Sequence, residues 1–105
     1  MGVDEKKQEG KVKKESSKAE GFGSSNYPNP FNPATTISFS IPKDGMTELK
    51  IYNMLGENIE TLVSQPLSAG TYSYSWNAAR YSSGIYFYVL RSGNNVQTKR
   101  MMLVK

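Results

Sequence analysis

Thr71-Tyr72-Ser73-Tyr74-Ser75-Trp76 decides how this chain folds. Three aromatic rings stand at every second residue, with small hydroxyl side chains between them. An extended chain points alternate side chains to opposite faces, so the rings share one face; a helix would scatter them around its axis. Working outward, Thr36-Ile37-Ser38-Phe39-Ser40-Ile41 repeats the alternation, with Ile37, Phe39 and Ile41 on the apolar face. Ile85-Tyr86-Phe87-Tyr88-Val89-Leu90 is apolar on both faces and is expected to be the most buried strand. Further strands are predicted over 46–54, where Leu49 and Ile51 share a face, and over 58–63. A last strand is predicted over 96–104, with either Met101 and Leu103 or Met102 and Val104 facing inward. Pro42-Lys43-Asp44-Gly45, Leu55-Gly56-Glu57, the 65–70 loop, the polar 77–83 stretch and Ser92-Gly93-Asn94-Asn95 supply turn chemistry between them. The pattern predicts an all-β chain, a small antiparallel immunoglobulin-like β-sandwich of six or seven strands.

The flanks read differently. Residues 1–25 hold six lysines and five acids, and their few apolar residues have no regular spacing. Such a stretch buries too little to offset its chain entropy, so it is expected to be a disordered charged leader or linker, with 26–105 as the folded domain. Tyr27-Pro28-Asn29-Pro30-Phe31-Asn32-Pro33 is a stiff, non-helical lead-in. Its two large apolar residues, Tyr27 and Phe31, are expected to anchor it.

Composition closes many functional classes. Among 105 residues there is no histidine and no cysteine. That removes His-based triads, imidazole switches, disulfides, thiol nucleophiles and Cys or His metal sites. No apolar run approaches the about 20 residues of a membrane-spanning helix, and no export signal opens the chain; the simpler reading makes it a fragment of something longer. Thirteen Lys and Arg against nine Asp and Glu give a net charge of +4. The acids of the predicted domain, Asp44, Glu48, Glu57 and Glu60, fall in a turn or on polar strand faces and read as solvated. A carboxylate pair of the glycosidase kind stays open on spacing alone. No catalytic, cofactor-binding or metal-ligating residue is assigned. Nucleic-acid binding is disfavoured, because Tyr72, Tyr74 and Trp76 share a core-like face rather than a basic surface. Tyr81, in the polar loop, is the one aromatic expected to be exposed there, and it carries the weaker carbohydrate-binding reading.

Several boxes in one order are more specific. Asn26-Tyr27-Pro28-Asn29-Pro30-Phe31-Asn32-Pro33-Ala34-Thr35-Thr36-Ile37-Ser38-Phe39 resembles the opening box of the type IX secretion C-terminal sorting domain. Ile51-Tyr52-Asn53-Met54-Leu55-Gly56 is similar to its next box, with Asn53 where the family often has Asp. Leu67-Ser68-Ala69-Gly70-Thr71-Tyr72, Trp76-Asn77 and Ser83-Gly84-Ile85-Tyr86-Phe87-Tyr88 resemble the middle and later boxes, and Thr98 to Lys105 the terminal strand with its closing basic residue. Some relatives share the immunoglobulin-like fold of the flagellar hook-capping protein. The resemblance implies an address label, not an enzyme, at the end of large secreted proteins of Bacteroidota and allied phyla. It implies a route through the periplasm and docking on the type IX machinery at the outer membrane. A sortase-like peptidase would then cut in the linker around 21–26 and attach the cargo to the cell surface.

Eight residues of these boxes are the recognition candidates: Pro28, Asn29 and Pro30, Gly84 and Tyr86, and the basic Lys99, Arg100 and Lys105. The competing reading is a structural or adhesive module retained on the mature protein, self-associating through its strand edges.

Overall fold

A computed structural model of the chain describes residues 12–19 and 21–105. These form eight strands: β1 (Val12–Ser16), β2 (Gly23–Tyr27), β3 (Ala34–Ile41), β4 (Gly45–Tyr52), β5 (Asn58–Leu67), β6 (Gly70–Asn77), β7 (Gly84–Ser92) and β8 (Asn95–Leu103). They pair into two antiparallel sheets of four, ordered β1-β6-β3-β2 and β5-β4-β7-β8. β2, β3 and β6 lie together in one sheet and β4, β7 and β8 in the other, as strands A, B, E and C, F, G do in an immunoglobulin sandwich. β5 extends the second sheet beside β4. β1 takes the place beside β6 that strand D holds in that fold.

The alternating segments fold as their period dictates. Ile37, Phe39 and Ile41 of β3, Leu49 and Ile51 of β4, and Tyr72, Tyr74 and Trp76 of β6 are all buried. On β8 the inward pair is Met101 and Leu103, which leaves Met102 and Val104 exposed. β7 departs from its reading. Tyr86, Tyr88 and Leu90 are buried, but Ile85, Phe87 and Val89 are only half-buried. β7 lies inside its sheet between β4 and β8, so one face meets the core while the other is covered only by neighbouring side chains. β5 runs to Leu67, four residues past its expected end, and includes Pro66. As an edge strand it tolerates a residue with no amide hydrogen to donate.

The leader is where composition misled. Residues 1–11 lie outside the described residues, but 12–16 and 23–27 are strands, not disordered chain. β2 pairs with β3 over its whole length, from Gly23↔Ser40 to Tyr27↔Thr36, and so crosses the expected boundary at residue 26. Both are edge strands. Backbone hydrogen bonds to a formed neighbour hold them, which a count of apolar side chains does not register.

Each strand's direction fixes which loops meet. Antiparallel pairing places the 28–33 segment, the 53–57 turn, the 77–83 loop and the C-terminus at one end, called the upper end here. The 42–44 and 93–94 turns and Ser68-Ala69 lie at the lower end.

Candidate recognition surface

Phe31 closes the upper end. It is buried against Trp76, with ring centroids 5.9 Å apart. Its backbone forms a parallel bridge with Leu103: Phe31 N donates to the Met102 carbonyl at 2.9 Å, and Val104 N donates to the Phe31 carbonyl at 2.9 Å. Asn29 extends this clasp. Its Oδ1 accepts from Met102 N at 3.0 Å and its Nδ2 donates to the Arg100 carbonyl at 3.3 Å. The opening box is thereby stapled to the outer edge of the terminal strand, some 70 residues later in the chain. A shallow depression of about 230 Å³ lies between them, lined by Asn29, Pro30, Arg100, Met101 and Met102. Pro28 is tied inward, its carbonyl accepting from buried Thr35 Oγ1 at 2.9 Å.

The later boxes use one local device twice. Ser68-Ala69-Gly70-Thr71-Tyr72 and Ser82-Ser83-Gly84-Ile85-Tyr86 share a Ser-x-Gly-x-Tyr spacing. In each, the tyrosine hydroxyl donates to the carbonyl of the serine four residues earlier at 2.6 Å. In each, the intervening glycine takes a positive φ, 154° at Gly70 and 153° at Gly84, which side-chain-bearing residues rarely adopt. One copy turns the chain into β6 at the lower end, the other into β7 at the upper end. Gly84 and Tyr86 therefore shape the fold whatever else they do. The repeat was readable in the sequence as two equally spaced triplets, and the strand pattern alone passes over it.

Around Tyr86 the upper end is aromatic. Trp76 and Tyr86 meet edge-on at 6.3 Å, and Tyr81 leans on both, at 5.9 and 6.2 Å. Glu60 Oε1 accepts from Trp76 Nε1 and from the Tyr81 hydroxyl, both at 3.0 Å. Two expectations are corrected here. Tyr81 is half-buried with its hydroxyl engaged, so it is no open platform for a sugar ring. Glu60 is the acceptor that satisfies the core tryptophan, not a solvated carboxylate.

The basic candidates do not form one cluster. Lys105 Nζ donates to the carbonyls of Ala79 at 2.5 Å and Tyr81 at 2.9 Å, clamping the 77–83 loop. Lys99 and Arg100 are exposed on β8, opposite Tyr88 and Phe87 of β7. The structure thus brings Asn29, Pro30 and Arg100 together, gathers Tyr86 and Lys105 around the 77–83 loop, and leaves Lys99 apart.

What the sequence reading missed is the exposed apolar residues of this end. Tyr27, expected to anchor the lead-in, is 83% exposed, and Met54 and Leu55 are 65% and 82% exposed. The turn carrying the latter two is stiff. Asn53 Oδ1 accepts from Leu55 N at 2.9 Å and Glu57 N at 3.0 Å, its Nδ2 donates to Glu57 Oε1 at 2.7 Å, and Gly56 supplies the φ of 85° that the turn needs. Two large apolar side chains held out by so many hydrogen bonds need a physical reason to be there.

Residues 25–105 match the model of the secretion system C-terminal sorting domain. The chain belongs to that family. It is a sorting signal of the type IX secretion system, which implies interaction with the secretion machinery and export to the cell surface or beyond. The family is one of sorting signals, not of catalysts. No curated protein matches the chain. Within the sorting domain, the 28–33 part of the opening box, the second box, the end of the terminal box and the Ser82–Tyr86 copy lie at the upper end; the Ser68–Tyr72 copy, paired with the Phe39 end of the opening box, lies toward the lower end.

Proposed function

We propose that the upper end is the surface the type IX machinery reads, and that Tyr27, Met54 and Leu55 are its apolar contacts, with Asn29, Pro30 and Arg100 as its polar rim. The observation carrying this reading is the convergence itself: segments from residues 27 to 105 fold to one end, where a braced turn holds two apolar side chains in water. The domain reaches the outer membrane folded, by way of the periplasm. A sortase-like peptidase then separates it from the cargo and attaches the cargo to the surface. The cut falls in the 17–22 connection, not across 23–26, because a protease needs accessible extended backbone and 23–26 is paired with β3.

The test is a reporter joined upstream of the chain in a cell with a type IX system. Met54→Ser with Leu55→Ser is expected to hold the reporter in the periplasm. Met46→Ser, at the lower end and 50% exposed, is expected to leave export normal. Exposed substitutions of this kind cost about 0.5 kcal/mol or less, so both proteins stay folded. Normal export of the folded Met54/Leu55 variant would remove the upper end from the account.

A further inference from the structure

β1 is attached unlike the other strands. Of its five residues only Val12 is buried. Its hold on the sheet is the ladder to β6, with Val12 opposite Tyr74 and Lys14 opposite Tyr72 and a bulge before Ser16. Two side-chain pins support it. Lys14 Nζ donates to Ser68 Oγ at 2.8 Å and sits 5.8 Å from the Tyr72 ring centre, and Ser73 Oγ donates to Glu15 Oε2 at 2.6 Å. β2, next in the chain, lies at the opposite edge of the same sheet. β1 therefore ends and β2 begins at the lower end of the sheet, with Ser16 opposite Thr71 and Gly23 opposite Ser40. Ser40 Oγ ties the connection down through the Gly21 carbonyl at 2.5 Å. Gly70 makes room for its start, since a Cβ there would overlap the Ser16 carbonyl oxygen.

We propose that the outer edge of β6 is a strand-acceptor site, filled within the chain by β1, and that once the 17–22 connection is cut it takes the β1 strand of a second copy of this protein. Every contact that holds β1 comes from the strand itself, so a strand of the same sequence from another molecule makes them all. The site selects an antiparallel strand with an apolar residue opposite Tyr74, a cation over Tyr72 and an acid at Ser73. Only the tether favours the chain's own strand. A short tether raises the local strand concentration to the millimolar range, which keeps the edge closed at micromolar protein. Cutting removes that advantage and leaves β6 with a row of unpaired backbone groups, the template on which strand addition occurs. The inference rests on the proposed cut in the 17–22 connection, and on β1 and β6, but not on the docking role of the upper end.

The test uses the full chain with a sequence-specific protease site inserted after Ala19, folded first and then cut. The probe is a fluorescent peptide with the sequence of residues 10–18. The cut protein is expected to shed its leader on gel filtration and then bind the probe, with affinity at least about tenfold above that of the uncut chain. A peptide N-methylated at alternate amides is expected not to bind. A second, uncut protein carrying Val12→Asp, Lys14→Glu and Glu15→Lys weakens only the resident strand, and is also expected to bind the probe better than the native chain. It decides the matter if cutting costs the fold. The proposal is overturned if a folded cut protein, or the folded triple variant, ignores the probe. Equal binding by the native chain or by the N-methylated peptide overturns it as well.

Discussion

Trp76 is the side chain on which the upper end is assembled. Phe31, Tyr81 and Tyr86 pack on its ring and Glu60 satisfies its indole N–H. Trp76→Ala is expected to cost about 3–5 kcal/mol in denaturant unfolding, the range for deleting a large buried aromatic; a cost below about 1 kcal/mol would mean the ring is not the keystone described. Tyr88 behaves in the opposite sense. Its ring is fully buried and its hydroxyl has no hydrogen-bond partner among the described residues. An unsatisfied buried polar group is a cost, of about 1–3 kcal/mol, so Tyr88→Phe is expected to leave stability unchanged or raise it. A loss above about 1 kcal/mol would show that the hydroxyl has a partner after all. At this scale the sequence was legible wherever burial follows period two, as at Ile37, Phe39, Ile41, Tyr72, Tyr74 and Trp76. It was not legible at Tyr27, because hydrophobicity predicts the inside and cannot register that this end of β2 leaves the ring exposed.

At the scale of elements, the six strands read from alternation are present, and the two that were missed are edge strands held by backbone pairing. Val12-Lys13-Lys14-Glu15-Ser16 offers one apolar side chain, and nothing in its pattern distinguishes it from a solvated linker. What makes it a strand is β6, a partner some 60 residues away. Gly70 records that contact. As a turn residue it needs only its positive φ, but the structure adds the close passage of the Ser16 carbonyl. Gly70→Ala is therefore expected to do more than strain a turn. Amide exchange should accelerate across β1 and on the β1-facing side of β6, while the β3–β6 ladder stays protected. Unchanged protection of β1 in that variant would separate Gly70 from the leader. The candidate site was half legible for a similar reason. The boxes were recognisable one by one, but their meeting at a single end depends on strand direction and pairing, and the splitting of Lys105 from Lys99 and Arg100 on where the last residues turn.

For the molecule as a whole, two titrations and one address remain. Burial raises the phenol of Tyr88, and raises that of Tyr74, where the charge of Glu60 adds to it; both lie above the ordinary 10.0. Below pH 10 both phenols are protonated in the folded and unfolded chain alike, and stability is at its full value. As the pH rises past about 10 the unfolded chain gives up these protons first, so stability falls. The denaturant midpoint is expected to drop above about pH 10, and to drop less in Tyr88→Phe; a midpoint that is flat to pH 11 would contradict the buried, protonated state. The central claim is the address. A fluorescent reporter bearing a periplasmic export signal, joined upstream of the full 105-residue chain, is followed in cells with a working type IX system and in cells from which that system has been deleted. The account predicts reporter outside or on the surface of the first and trapped in the periplasm of the second; reporter held in the periplasm of both, or released equally by both, would contradict it.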